Sequence, residues 1–224
     1  MRKTRHWGHL TSCMSSDITQ VAANLAAVAS SLHARGWMLG TSGNFSAVVE
    51  REPLRLAISP SGVDKAAVQA DQILLIDEHA AVISEHNVKP SDESFLHIRI
   101  VKERGASVVL HTHSIWSTLL SELYAADGVV VMQGYEMLKG LAGVKTHEHQ
   151  ESLPIIENSQ DMRALADKVG ETLRQNQQAH GILLRRHGLY TWGDNLAEAK
   201  RHVEILEFLL ESTGRMLSMG KKPA

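Results

Sequence analysis

The order of patterns along this 224-residue chain predicts an α/β protein in which helices cover a mixed sheet. A long stretch with apolar residues at helical spacing comes first, and short β-like runs broken by Asp, Gly, Pro and Glu follow it. The second half alternates apolar runs of strand length with helical stretches. Hairpins followed by alternating strands and helices are typical of this fold class.

Helix signals begin at Asp17, which is expected to cap a first helix that ends at Gly36. Residues 1–16 show no periodicity and are expected to form a flexible arm. Ser91 is expected to cap a second helix that runs to about Arg104. Further helices are expected from near residue 114, over residues 135–141, from Ser159 to about residue 175, and from Asp194 or Asn195 onward.

Short apolar runs between turn residues are expected to form strands. They cover residues 45–49, 54–59, 73–76, 81–84, 107–111, 129–132, 153–156, 182–185 and 189–192. The turn residues between the first four runs indicate antiparallel hairpins. Because no internal repeat, low-complexity tract or linker is visible, residues 17–224 are expected to form a single domain.

Composition narrows the classes of function. A formal net charge of −2 gives no global attraction to nucleic acid or to anionic membranes. No stretch approaches the ~20 apolar residues that a membrane span needs, and the basic N-terminal residues precede no sustained apolar segment of a secretory signal. Cys13 is the only cysteine, which excludes an intrachain disulfide and a cysteine-based zinc knuckle. A cytoplasmic protein is expected.

The strongest local signal is the segment Val109-Leu110-His111-Thr112-His113. Side chains two residues apart on an extended segment point to the same side, so two imidazoles can converge on one zinc ion. The pair alone is equally compatible with two histidines at a strand end that bind no metal.

A zinc site needs at least a third ligand. His187 is a good candidate, because it lies in a turn between two apolar strands. His147 and His149 lie in a polar stretch and are interpreted as parts of a solvated loop. His97 and His202 lie on predicted helices and are interpreted as structural or exposed.

Three short polar segments offer backbone N–H groups and small hydroxyls that suit a phosphate group. They are Gly40-Thr41-Ser42-Gly43-Asn44, Ser59-Pro60-Ser61-Gly62 and Pro90-Ser91-Asp92-Glu93. Each segment alone is more often a plain turn or cap, and none matches a nucleotide-binding fingerprint.

Two acids are candidate proton carriers. Glu136 lies in a largely apolar stretch that is expected to raise its pKa toward a useful value. Glu93 lies in the first turn of a predicted helix, where an acid also stabilises the helix without any catalytic role.

Taken in order, five segments resemble the class II aldolase and adducin family. They are the Thr-Ser-Gly-Asn loop, Ser-Pro-Ser-Gly, Pro-Ser-x-Glu, His-Thr-His and Arg-His-Gly. The resemblance implies a three-layer α/β/α sandwich with a central mixed, mostly antiparallel sheet, and a homotetramer with active sites at subunit interfaces.

The resemblance also assigns roles to individual residues. One Zn²⁺ per subunit would be held by His111, His113 and His187, and the catalytic residue would be Glu136. The acid of family aldolases falls at Glu93, so Glu93 remains a possible catalytic residue. The substrate phosphate would lie near Asn44, Ser61, Gly62 and Ser91. Asp92 departs from the small hydroxyl residue of many aldolases, so only its backbone suits a phosphate.

Residues 135–140, 154–158 and 186–193 resemble the branch of the family that removes water from a sugar phosphate. Aldol cleavage or epimerisation of a sugar phosphate is the nearest alternative, and Glu93 slightly favours it. A non-catalytic, adducin-like binding module is a further alternative, which the three retained histidines disfavour.

Overall fold

The computed structural model describes residues 10–84 and 88–221, with side chains from Ile18 onward. Its helices are α1 (Leu10–Ala34), α2 (Ser94–Arg104), α3 (Ile115–Leu123), α4 (Met162–Gln175) and α5 (Leu196–Ser218). Its strands are β1 (Asn44–Arg51), β2 (Leu54–Ile58), β3 (Leu74–Asp77), β4 (Val108–Thr112), β5 (Val129–Gln133), β6 (Gln150–Ile156), β7 (Gly181–Leu184) and β8 (Gly188–Gly193). Two short 3₁₀ helices cover Ala70–Gln72 and Glu136–Gly140.

All eight strands form one sheet in the order β3-β2-β1-β4-β8-β7-β6-β5. Neighbouring strands pair antiparallel except β6 and β7, which are parallel. The expected mixed, mostly antiparallel sheet is therefore confirmed, as are the hairpins β1–β2 and β2–β3. Strand β4 lies in the middle of the sheet between β1 and β8, so its ends are held from both sides.

Helices cover both faces of the sheet and make the three-layer sandwich. Helices α2 and α4 pack on one face, whereas α1, α3 and α5 pack on the other. Because side chains alternate along a strand, β4 contributes Val109 to the first face and Leu110 to the second. A strand buried on both sides needs apolar residues at nearly every position, which explains the continuous apolar runs.

Two expected helix caps are each wrong by two residues for the same reason. The Ser91 and Ser159 hydroxyls accept hydrogen bonds from the backbone N–H groups of Glu93 and Asp161, so each serine closes a tight turn before its helix. Glu93 then precedes α2, and Asp161 caps α4 by accepting from the N–H of Ala164. The helix expected to begin near Ser114 is confirmed, with Ser114 as its cap, and Asn195 is the cap among the two residues expected for the last helix.

Two further expectations differ from the structure. Helix α1 begins at Leu10, so Asp17 lies within the helix instead of capping it. No Gly or Pro lies between these two residues to stop the helix. The rest of the expected arm, residues 1–9, lies outside the described residues.

Residues 81–84 form no strand, and only an isolated bridge joins Ile76 to Val82. The Asp77 carboxylate accepts from the N–H groups of His79 and Ala81, which turns the chain away from a regular ladder. In the described ranges, no helix is long and apolar enough to cross a membrane.

Candidate metal centre

Three histidines from two neighbouring strand ends converge at one edge of the sheet. His111 and His113 come from the end of β4, and His187 comes from the turn between β7 and β8. The Nε2 atoms are 2.8 Å apart for His111 and His113, 3.1 Å for His113 and His187, and 3.3 Å for His111 and His187. The structure therefore brings together all three predicted ligands.

The turn that carries His187 approaches β4 so closely that it requires glycine. A Cβ atom on Gly188 would lie 2.0 Å from the Thr112 carbonyl oxygen and 3.1 Å from Cε1 of His111. Arg186, the residue before His187, adopts a positive φ of 54°. In the Arg-His-Gly motif, the lack of a side chain at Gly188 thus allows the turn to bring the His187 imidazole against β4.

The protonation states of His111 and His113 suit metal binding. His111 Nδ1 lies 2.9 Å from the Leu189 carbonyl oxygen, to which it donates, so its Nε2 lone pair points toward the other histidines. Burial holds the pKa of His111 well below its usual range and lowers the pKa of His113 to about 4. Neutral imidazole is the form that ligates a metal. Tyr190 stacks on the His111 ring at 3.8 Å and helps to orient it.

The spacing of the nitrogens fits a tetrahedral divalent metal. Ligand nitrogens at about 2.05 Å from zinc in a tetrahedral arrangement lie roughly 3.3 Å from one another. The three observed separations, from 2.8 to 3.3 Å, are close to that value. Neutral imidazoles meeting through lone pairs repel each other, and a cation between them removes that repulsion.

Glu93 completes the cluster. One carboxylate oxygen lies 3.0 Å from His187 Nε2 and the other 3.8 Å from His111 Nε2. Burial alone would raise the pKa of this carboxyl group, but His111, His187 and a hydrogen bond from Asn44 hold it well below its usual range. Glu93 is therefore an ionised oxygen ligand or proton acceptor beside the histidines, a position that suits both a fourth metal ligand and a catalytic acid–base group.

The predicted phosphate residues line one cleft. Asn44, Ser61, Gly62 and Ser91 surround a volume of about 260 Å³, which Glu93 and His113 also line. Three loops that are distant in sequence therefore meet beside the histidines. Their small side chains leave room for an anion.

The Asn44 side chain is already engaged inside this cleft. Its amide nitrogen donates to Glu93 and, at 3.4 Å, to the Ser91 hydroxyl. Its oxygen lies 2.5 Å from Nε2 of His97, which is fully buried. Asn44 thus orients Glu93, and His97 is structural, as one of its two expected interpretations had it.

Glu136 does not lie in the setting expected from its apolar neighbours. It lies at the start of the second 3₁₀ helix with its side chain 74% exposed, and a carboxylate oxygen accepts from Lys139 at 2.7 Å. Lys139 lowers the pKa of Glu136, so the expected rise is wrong. Within one described chain, Glu136 lines neither the cleft nor the histidine cluster.

A second group of histidines was not expected. The buried Glu151 carboxylate accepts from His149 at 3.0 Å and from His180 at 2.9 Å, so the solvated interpretation of His149 is wrong. Glu151 outweighs burial and raises the pKa of His180, whose other nitrogen donates to the Ala142 carbonyl oxygen at 2.8 Å. This group anchors the segment that follows Glu136. His147 is exposed, as expected, and His202 is buried.

Lys65 is a charged residue of the cleft that sequence reasoning missed. It is 1% exposed, although it lines the cleft that holds the predicted phosphate residues. The only local signal was its place three residues after Gly62, and lysine at such a position is normally solvated.

Comparisons with known proteins identify the family of this chain. Residues 23–213 match the family of the class II aldolase and adducin N-terminal domain. The chain is 42% identical to methylthioribulose-1-phosphate dehydratase of Methylococcus capsulatus, covering 87% of this chain and 93% of that protein. It is 39% identical to the dehydratase of the same name from a Picosynechococcus species, covering 84% and 88%.

Solved structures share the fold at lower sequence identity. An L-fuculose 1-phosphate aldolase superposes with a TM-score of 0.74 at 21% identity, over 90% of this chain and 88% of that one. A sugar-phosphate aldolase from Thermotoga maritima gives 0.71 at 22% identity, over 94% and 99%. The family match spans most of the chain, and the histidine cluster lies inside it. The chain therefore belongs to the class II aldolase and adducin family.

Proposed function

We propose that this protein is a zinc-dependent hydro-lyase that removes water from 5-methylthioribulose 1-phosphate, a step of methionine salvage. The observation that carries the proposal is the identity of 39–42% to proteins named as dehydratases of this substrate, over more than four fifths of each chain. The aldolases of known structure share only 21–22%. The cluster of His111, His113, His187 and Glu93 supplies a site for the chemistry.

The reaction breaks the C3–H and C4–O bonds of the substrate. A base takes the C3 proton, the C3=C4 double bond forms, and the C4 hydroxyl leaves as water after receiving a proton. The resulting enol then moves its hydroxyl proton to C4, which yields the 2,3-diketo-5-methylthiopentyl 1-phosphate. At least one group must therefore transfer protons beside C3 and C4.

Zinc is the metal that the donor set fits best, since the three imidazoles would hold it and the fourth position would remain for Glu93 or for substrate. When bound, a divalent metal supplies Lewis-acid stabilisation to substrate oxygens that develop negative charge. The backbone of His111 is held within β4, and the backbone N–H of His113 donates to the Trp37 carbonyl oxygen, so both ligand nitrogens are held rigidly. Asn44 keeps the Glu93 carboxylate directed at this site.

The substrate phosphate is assigned to the cleft lined by Asn44, Ser61, Gly62 and Ser91. The Ser61 and Ser91 hydroxyls can donate to phosphate oxygens, whereas the Asn44 amide is held by Glu93 and His97. Asn44 therefore contributes mainly by orienting Glu93. The cleft adjoins His113, so a sugar phosphate of five carbons can extend from the loops to the metal.

Glu136 is assigned as the proton-transferring residue, contributed by a neighbouring subunit of a cytoplasmic homotetramer. Its exposure on the isolated chain is consistent with a role across an interface. Helix α3 starts directly after His113 and carries an exposed apolar stripe, and Met137 beside Glu136 is 40% exposed. The stripe consists of Ile115, Leu119 and Leu123, which are 67%, 53% and 61% exposed. Apolar stripes of this kind mark protein interfaces.

The proposal is tested by measuring zinc content and products on the same purified sample. Near-stoichiometric zinc together with the diketone phosphate supports it. His111→Ala should lose both zinc and turnover, whereas Glu136→Gln should keep zinc and lose turnover by at least about 100-fold. Glu148→Gln, an exposed acid in the same region, is the matched control and should leave both unchanged. A fully active Glu136→Gln enzyme would refute the assignment of Glu136.

A sugar-phosphate aldolase is the second candidate, because Glu93, and not Glu136, lies beside the histidines within the chain. Aldol cleavage would break the C3–C4 bond and yield dihydroxyacetone phosphate with methylthioacetaldehyde. Zinc with these products would replace the dehydratase proposal. A chain that binds no zinc after supplementation would contradict both enzymes and favour the adducin-like binding module.

A further inference from the structure

Lys65 is a buried cation that lines the cleft of the predicted phosphate residues. It is 1% exposed, and Nζ donates to the Thr41 carbonyl oxygen at 3.1 Å and to the Val63 carbonyl oxygen at 3.0 Å. Thr41 precedes β1 and Val63 follows β2, so the ammonium group ties together the two loops that carry Asn44 and Ser61. Its contacts place a positive charge behind both loops.

The charged side chains that line the cleft include more acids than bases, which is unfavourable for a phosphate ligand. Among the described residues that line it, Lys65 is the only Lys or Arg, while Asp92 and Glu93 are acids. A phosphate monoester carries close to two negative charges at neutral pH. Neutral serine hydroxyls and backbone N–H groups alone would place that charge beside two carboxylates. Lys65 is the one basic side chain of this lining that can offset the charge at the loops.

An ammonium group has three N–H donors, and the two carbonyls account for two of them. We propose that Lys65 binds the substrate phosphate, using its remaining donor and its charge, and so makes the site selective for phosphorylated substrates. This inference rests on the proposed function, because it deepens the assignment of the phosphate cleft. It adds a residue to the cleft that loop pattern alone does not identify.

The burial of Lys65 also favours a ligand-binding role over a structural one. Burial disfavours the charged amine and lowers the pKa of Lys65. The negative charges of Asp64 and Glu93 raise this pKa and offset part of the effect. A methionine would fill the same space without that cost, so a lysine kept only for packing would weaken the fold. A bound dianion offsets the cost, because it adds a strong opposite charge in a water-poor site.

The test uses the full-length, zinc-loaded protein with Lys65→Met and, as matched control, Lys89→Met. Lys89 is exposed and adjoins the same loops through a backbone hydrogen bond from Ser61, so its substitution removes an equal charge without touching the cleft. The probe is inorganic phosphate, with its dissociation constant measured by calorimetry. Lys65→Met should weaken phosphate binding by about 10- to 100-fold, and Lys89→Met by less than about 3-fold.

Kinetics separate binding from a structural role. Lys65→Met should raise KM for the phosphorylated substrate while zinc content and the unfolding midpoint stay near those of the unaltered protein. Lys65→Arg, which keeps the charge, should recover part of the phosphate affinity. If Lys65→Met does not fold, Lys65→Gln provides the same comparison with a polar side chain.

The outcomes distinguish this inference from the proposed function. Phosphate affinity that is equal in Lys65→Met and the unaltered protein overturns the inference, even if the enzyme dehydrates its substrate. Loss of phosphate binding in Lys65→Met without any dehydration by the unaltered protein supports the inference and overturns the dehydratase. An unaltered protein that binds no phosphate overturns the role of Lys65 directly.

Discussion

Gly43→Ala is expected to disturb the candidate metal centre, because Gly43 lies in the loop before Asn44 and close to His111. Gly43 has a φ of 73°, and a Cβ atom there would lie 2.8 Å from the His111 carbonyl oxygen. It would also lie 3.0 Å from Cγ of Met38, but that flexible side chain can move away. The His111 carbonyl belongs to β4 and can move only if the His111 side chain, a proposed metal ligand, moves with it.

The magnitude follows from two separate costs. A left-handed backbone costs a non-glycine residue about 1–2 kcal/mol, and overpacking against a rigid neighbour adds about 1–3 kcal/mol. Gly43→Ala should therefore lower the free energy of unfolding by about 2–5 kcal/mol. Gly40→Ala is the matched control, because Gly40 has a φ of 64° but no atom within 4 Å of the position that an added Cβ would take. Only the backbone cost, about 1–2 kcal/mol, applies there.

The assay is urea unfolding at equal protein and zinc concentrations, combined with zinc affinity measured by chelator competition. Gly43→Ala should be less stable than Gly40→Ala and should bind zinc more weakly, since the displaced carbonyl shifts His111. Gly40→Ala should keep normal zinc affinity. Equal stability and equal zinc affinity of the two variants would refute the reasoning, because the close approach to β4 would then carry no cost.

Two other perturbations test buried charge and assembly. Burial raises the pKa of Glu207 from 4.5 to about 7, so the folded chain keeps a proton that the unfolded chain releases. The free energy of unfolding should then fall by about 3 kcal/mol as the pH rises from about 4.5 to 7. Glu207→Gln should remove this slope in urea unfolding across that range, and an unchanged slope would contradict the assignment. Leu119→Lys should shift the protein toward smaller species in sedimentation velocity, because a charge would interrupt the apolar stripe of α3; an unchanged assembly would place the interface elsewhere.

Local sequence was informative wherever a pattern and a short spacing define the geometry. His111 and His113 were predictable as a pair because strand geometry alone places residues two apart on the same side. The turn that holds His187 was visible from its two apolar flanks. Helix starts at Ser91 and Ser159 were displaced because a serine followed by an acid can close a turn as readily as it can cap a helix.

Glu136 shows why apolar neighbours in sequence do not establish a buried site. Its segment is a short 3₁₀ helix, which places Leu138 in the core and the Glu136 carboxylate in solvent. His149 shows the opposite error, since a polar stretch concealed contact with a buried acid, Glu151. Whether a side chain is buried depends on which elements pack over it, and that information is not local.

The amino-acid pattern was sufficient for the fold class, for the three histidines that converge at one sheet edge and for the loops that line the neighbouring cleft, because periodicity and short motifs act over a few residues. Only tertiary structure decided that Glu93 lies 3.0 Å from His187, that Asn44 orients Glu93, and that Lys65 is buried at the cleft. These relations join residues far apart in sequence. The physical reason is that distance, desolvation and charge compensation arise only when the sheet brings separate loops to one edge.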